Sequence, residues 1–304
     1  MSPFYKFIPF VMVVIIWGCD QTNDTALSEK IARLEKTVDA SSGQKQISEL
    51  LDAYAEFVNS SDETASSRRK MLKKAYEFAK KTGNSERVIE FASRSLLDFP
   101  KDKGREEKVL DLISIHENAG KSVVANVLKH AFMENYPNSP KADSLKNIVQ
   151  DQNMSTDSIM VELGKKVKLN PGTTGINTLM ATIYVDACKA YATVLPEREN
   201  APKLLFNAAQ LTTTMRQFDK TIGLYDWIVD KYPDTDDAPV ALATKGFILD
   251  NDLKDMDKAK EIYRQFIEKY PDHNLTGQIQ FLLENLGKSN EELLKQLDPQ
   301  AKKQ

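Results

Sequence analysis

Along most of this chain apolar residues recur at steps of three and four, the spacing of an amphipathic helix. From Gln44 to Val58 the apolar side carries Ile47, Leu50, Leu51, Tyr54, Phe57 and Val58; from Ala65 to Lys81 it carries Met71, Leu72, Ala75, Tyr76 and Ala79. The same spacing predicts helices over 86–98, 105–117, 122–135, 156–167, 176–194, 201–213, 217–231, 238–249, 258–269 and 275–286. Short polar turns separate the members of a pair: Thr82-Gly83-Asn84, with Ser85 expected as the next N-cap, and Asn118-Ala119-Gly120. Near the start, Leu27, Ile31, Leu34 and Val38 form a stripe of under two heptads. That suits a docking helix better than a self-associating coiled coil. At the far end, Ser289-Asn290-Glu291-Glu292 reads as a capping box opening a short terminal helix to Leu297.

The second helix of each pair closes on a bulky residue followed by proline. The copies are Phe99-Pro100, Tyr136-Pro137, Leu195-Pro196, Tyr232-Pro233 and Tyr270-Pro271, so the prolines stand 37, 59, 37 and 38 residues apart. A step of this size, each ending in a helix stop, marks a stack of helical hairpins. The long step holds about 22 extra residues, between Pro140 and Pro171, and predicts irregular geometry there.

These residues resemble tetratricopeptide (TPR) repeats, which carry small residues at positions 8 and 20, large ones at 24 and 27, and proline at 32. Counted back from Pro271 the last three sites before it are Ala259, Tyr263 and Phe266; from Pro233 they are Thr221, Tyr225 and Ile228, with Leu205 and Ala209 earlier in that repeat. Gly246 is the early small residue of the last repeat if its turn holds one extra residue. Pro137 gives a partial match through Ala125, Lys129 and Phe132, whereas Val88 and Tyr184 occupy the small site before Pro100 and Pro196. The resemblance implies an all-α, TPR-like solenoid wound as a right-handed superhelix. It also implies that the first helix of each hairpin lines a concave groove. The groove residues it implies are Lys203, Phe206, Gln210, Thr213 and Phe247, with Phe206 equally placed to fill space between repeats.

The N-terminus changes the picture of where such an array works. After Lys6, the apolar run Phe7 to Trp17 is 11 residues long, too short to span a bilayer and suited to a signal-peptide core. Ile16-Trp17-Gly18-Cys19 then resembles a bacterial lipobox, with Trp17 bulkier than the residue usual at its place; an ordinary signal peptide with a chance cysteine is the alternative. The resemblance implies acylation of Cys19 and a chain held on the outer or inner membrane, facing the periplasm. A repeat array behind a lipobox is similar to bacterial envelope TPR lipoproteins, such as that of the outer-membrane β-barrel assembly machinery, and to the Tol-Pal-associated periplasmic TPR protein. The expected organisation is a signal peptide over 1–18, a polar tether over 19–25 and N-terminal helices over 26–62. TPR-like hairpins follow over 63–140, an irregular insertion with a hairpin over 141–200, TPR repeats over 201–285 and a capping helix and tail over 286–304.

Candidate chemistry subtracts more than it adds. The formal charge of −3 offers no cationic excess for a phosphate backbone, which argues against nucleic acid. Gly120-Lys121-Ser122 lacks the earlier glycine of a phosphate loop, Ile115 standing in its place, and Gly172-Thr173-Thr174-Gly175 reads as a helix cap. His116, His130 and His273 have no partner at ligand spacing, Cys188 sits on an apolar stripe, and Asp250-Asn251-Asp252 lacks the calcium-loop glycine, Asp255 holding that place. The expectation is therefore no enzyme, no cofactor and no metal, but a scaffold that binds a protein or peptide. The alternatives are an envelope enzyme, or a protein binding a small ligand or glycan, with its site in 140–200.

Overall fold

The computed structural model describes residues 21–60, 63–149, 151–168 and 175–288. Cys19 with its lipobox, most of the 170–175 loop and the 289–297 capping helix lie outside them. The described residues fold entirely as helices, apart from one antiparallel bridge between Lys168 and Ile176. No helix among them is long and apolar enough to cross a membrane. They divide into two compact units, one ending at Pro100 and one beginning at Lys101.

The first unit contains α1 (Gln21–Thr37), α2 (Gln44–Asn59), α3 (Ala65–Lys81) and α4 (Ser85–Asp98), each packed on the next. Helix α1 begins within the segment expected to be a tether. Its Ile31 is buried, as is Val38 just past its end, and α1 packs on α2. Between α3 and α4 the turn is built one residue earlier than the sequence suggested. Gly83 takes a left-handed φ of 67°, and Asn84 rather than Ser85 is the N-cap, its side chain accepting from the Arg87 N–H at 3.1 Å.

In the second unit the helices are α5 (Arg105–Asn118), α6 (Ser122–Asn135), α7 (Pro140–Lys146), α8 (Thr156–Val167) and α9 (Thr178–Val194). After them come α10 (Asn200–Thr214), α11 (Phe218–Lys231), α12 (Asp237–Asn251), α13 (Met256–Lys269) and α14 (Thr276–Glu284). Packing is mostly between neighbours: α5 on α6, α6 on α9, α9 on α10, and so to α14. This is how a stack of repeats distributes its core. The repeat-defining residues are its centre. Ala259, Tyr263, Phe266, Thr221 and Ile228 are fully buried, and Tyr225 is 1% exposed.

The helix-closing residues share one backbone shape. Phe99, Tyr136, Leu195, Tyr232 and Tyr270 have φ between −117° and −130° and ψ between 46° and 67°, and each N–H still reaches the carbonyl four residues back. The following proline makes the α region unfavourable for the residue before it, which ends the helix there. After Tyr136, Leu195, Tyr232 and Tyr270 the chain repeats the same two turns: the closer carbonyl accepts from the residue three on, whose own carbonyl accepts from Ala142, Ala201, Ala238 or Thr276. Two closers also feel the acid that follows the closer before them. Burial and then the Glu197 carboxylate hold the Tyr232 phenol above its ordinary pKa, and burial and then Asp234 do the same to Tyr270.

The long step between Pro137 and Pro196 now has an explanation. Helix α7 starts where the first helix of a repeat belongs, with Ser139 as N-cap and Pro140 in its first turn. It stops after seven residues. The chain then turns through Asp151, which has a φ of 57°, and begins again as α8, which pairs with α9. The seat of α7 is fixed by Ser139, whose hydroxyl donates to Glu106 on α5 at 2.7 Å. That of α8 is fixed by Glu134 on α6, which accepts the Thr156 N–H at 2.7 Å.

His116, on α5, gives the unit a pH dependence. Its Nδ1 is buried with no hydrogen-bond partner among the described residues. Burial first, then the Lys121 ammonium and more weakly Lys189, push its pKa down against the opposing pull of Asp186. The folded state thus holds it neutral, while the unfolded chain takes up a proton near pH 6.5. Its contribution to stability is complete above about 6.5 and falls away as the pH drops from there toward the lower folded value. Thermal midpoints measured from pH 8 to 5 should fall more steeply for the native sequence than for His116→Gln; parallel curves would remove His116 from the account.

Candidate functional site

The residues implied as a groove lie on α10 and α12, the first helices of the last two complete hairpins. The shared turns put Ala201, Ala238 and Thr276 in equivalent places. Five residues further on stand Phe206, Ala243 and Phe281; nine further on stand Gln210, Phe247 and Asn285. Those two positions are one helical turn apart and share a face. Helices α10 and α12 are in direct contact.

The five expected residues do not share one fate. Phe247 is 49% exposed, and Gln210 is open to solvent. Phe206 is half-buried, its ring tilted on Tyr225 of α11 at 5.6 Å between centroids, so part of its surface is spent inside its own hairpin. Lys203 is exposed but paired with Glu199 at 2.7 Å. Thr213 is turned inward: its hydroxyl donates to the Ala209 carbonyl at 2.8 Å and hydrogen-bonds the Tyr225 hydroxyl. In the next hairpin Asp250 does the same for Tyr263, accepting its hydroxyl at 3.3 Å. Position 12 therefore fastens the tyrosine of the second helix and presents little to a visitor.

One residue was not anticipated. Phe281 of α14 is 45% exposed at the register position of Phe206. The signal for it was the turn Tyr270-Pro271-Asp272-His273-Asn274, which copies the start of the previous hairpins and sets the count for α14.

Among the described residues of the insertion, the Asp157 carboxylate is taken up by structural contacts. Asp157 accepts the Tyr191 hydroxyl at 2.6 Å and the Asn200 amide at 3.0 Å, while Glu134 caps α8 and pairs with Arg198 at 3.2 Å. Cys188 is wholly buried, and burial drives its thiol pKa far upward. Among the described residues no group of three or more His, Cys, Asp and Glu could hold a metal. His130 is buried on α6.

Residues 245–273, from α12 to just past α13, match the family model of the tetratricopeptide repeat. This segment of the chain is a TPR. The match contains Gly246, Ala259, Tyr263, Phe266 and Pro271, the packing set read from the sequence, and it contains Phe247. No curated protein matches the chain. Outside the matched segment, α10 and α11 pack closely as well: buried Thr221 meets buried Thr212 across the pair with their hydroxyls 2.8 Å apart.

Proposed function

We propose that this chain is a membrane-anchored TPR scaffold of the bacterial envelope, which holds an extended peptide or a partner domain on the α10–α12–α14 face. TPR repeats generally mediate protein–protein interaction. In this reading the hairpins continue as a right-handed superhelix, that face is its concave side, and acylated Cys19 holds the array on the outer or inner membrane. The observation that carries the reading is the pair Phe247 and Phe281, whose rings are both about half exposed on the first helix after a closer. Half-exposed aromatic rings on a rigid helical face are what a docking segment uses as anchors.

A photo-crosslinking amino acid placed at Phe247 should give a discrete protein adduct in envelope preparations, and the same probe at exposed Arg264 should not. Equal adducts at both sites, or none at either, would remove the binding face. Separately, Cys19→Ala should move the protein from the membrane fraction to the soluble one and abolish labelling by a palmitate analogue. An unchanged distribution would remove the anchor and leave the binding face standing.

A further inference from the structure

Helix α3 is the most cationic helix among those described. It carries Arg68, Arg69, Lys70, Lys73, Lys74, Lys80 and Lys81 against a single acid, Glu77, in a chain of net charge −3. Its buried side is Leu72, Ala75, Tyr76 and Ala79, and its exposed side includes Arg69, Lys70, Lys73, Lys74 and Lys81. Lys70, then Lys73 and Lys74, then Glu77 and then Lys81 recur three or four residues apart, so they form a row along one face. Like charges at that spacing destabilise a helix. Lys74 offsets part of this within the fold, donating to both oxygens of Glu35 at 2.8 and 2.9 Å.

Beside the row lies a cleft of about 440 Å³ between α1, α2 and α3. Its floor is apolar, with Val38, Leu50 and Phe78, and Lys73, Lys74 and Lys81 stand at its rim with Glu35 and Glu77. The Tyr54 hydroxyl at its base is already committed to Glu35 at 2.9 Å. A cationic rim over an apolar floor is amphipathic in the sense of a bilayer surface, where phosphates lie above hydrocarbon. Lysine predominates in the row, and lysine acts as a flexible point charge suited to a diffuse anionic surface rather than to one bidentate carboxylate.

We propose that the exposed face of α3 is a second membrane contact, which lays the first unit on an anionic lipid surface. The choice of lipid over an acidic polypeptide rests on the anchor reading above: α1 begins at Gln21, two residues after Cys19, so this is the unit that an acyl anchor would hold against lipid. A polybasic surface and an acyl chain act together where one alone binds weakly.

The test uses the chain from residue 20 onward, which keeps every described helix and cannot be acylated at Cys19. Co-sedimentation is measured with vesicles of phosphatidylcholine alone and with about 30% phosphatidylglycerol. Binding is expected only to the anionic vesicles, and it should be lost at about 0.5 M salt. Lys70→Gln, Lys73→Gln and Lys81→Gln together should weaken it about 100-fold, three charges at roughly fivefold each, with an unchanged thermal midpoint. Lys146→Gln, Lys254→Gln and Lys260→Gln together should leave it as it was. No binding to anionic vesicles by the folded protein, or equal binding by the two triple variants, overturns the proposal. Capture by polyglutamate without capture by vesicles also overturns it, in favour of an acidic protein partner. Since Cys19 is absent from this experiment, its result is independent of whether the anchor exists.

Discussion

Gly246→Ala should destabilise the second unit by about 2 kcal/mol, while Gly223→Ala, the same change one hairpin earlier, should stabilise it by about 0.5–1 kcal/mol. Both glycines sit inside helices, where alanine is favoured by about 1 kcal/mol on backbone grounds. Around Gly223 a new methyl would meet nothing within 4 Å, so the helical preference acts unopposed. At Gly246 the methyl would lie 2.6 and 2.8 Å from two ring carbons of Tyr263 and 3.2 Å from Ile262. The ring cannot step aside. It is fully buried, and its hydroxyl is held at Asp250. The overlap therefore has to be relieved by parting α12 from α13, against an overpacking cost that exceeds the helical gain. Thermal midpoints measured side by side should move in opposite directions, with Gly246→Ala lower by about 4–8 °C. If the two variants shift together, the close approach of α12 and α13 is not what holds this hairpin.

Phe266→Ala should cost about 3–5 kcal/mol, the range for emptying a buried aromatic site, and the loss should be local. Phe266 is fully buried on α13 between Tyr270, at 5.5 Å, and His273, edge-on at 5.8 Å. Helix α13 packs on α12 and α14. In a stack of this kind a terminal hairpin can open without the rest. Hydrogen exchange should therefore quicken across α12–α14 while α5, α6 and α9 keep their protection. Phe132→Ala removes an equally buried ring from α6, which packs on α5, α7, α8 and α9. That change should lower the transition of the whole unit. A uniform loss of protection in Phe266→Ala would mean the unit melts as one block.

Much of this was legible in the sequence because one physical rule writes it many times. A helix with a single buried stripe must repeat its apolar residues every three or four places, and a proline must end it. Helix α3, α6 and α8 accordingly fall on the limits read from the pattern. Helix α7 escaped because its buried stripe is only Ala142 and Leu145, too short to show a period. What sets α8 in place is a carboxylate from another helix, Glu134, 22 residues from the N–H it caps, and local spacing cannot report such a contact. Thr213 was read as facing a groove from its repeat position, yet a threonine inside a helix can return its hydroxyl to the carbonyl four residues back, and here it does. Phe281 was missed for another reason: the repeats were counted back from the proline that ends each of them, whereas the mark that places α14 is Tyr270-Pro271, which precedes it.

The common shape of the closers has a consequence for how this chain can change length. Tyr232 feels the Glu197 carboxylate and Tyr270 feels Asp234, each acid standing just after the preceding closer, and these two junctions share their backbone angles. A stretch cut from Tyr232 to Tyr270 is therefore expected to behave as a cassette: duplicated, its two ends should present matching junctions. Helix α7 is what remains in the fold when the added length does not match that cassette: one orphaned helical start, seated by a single serine.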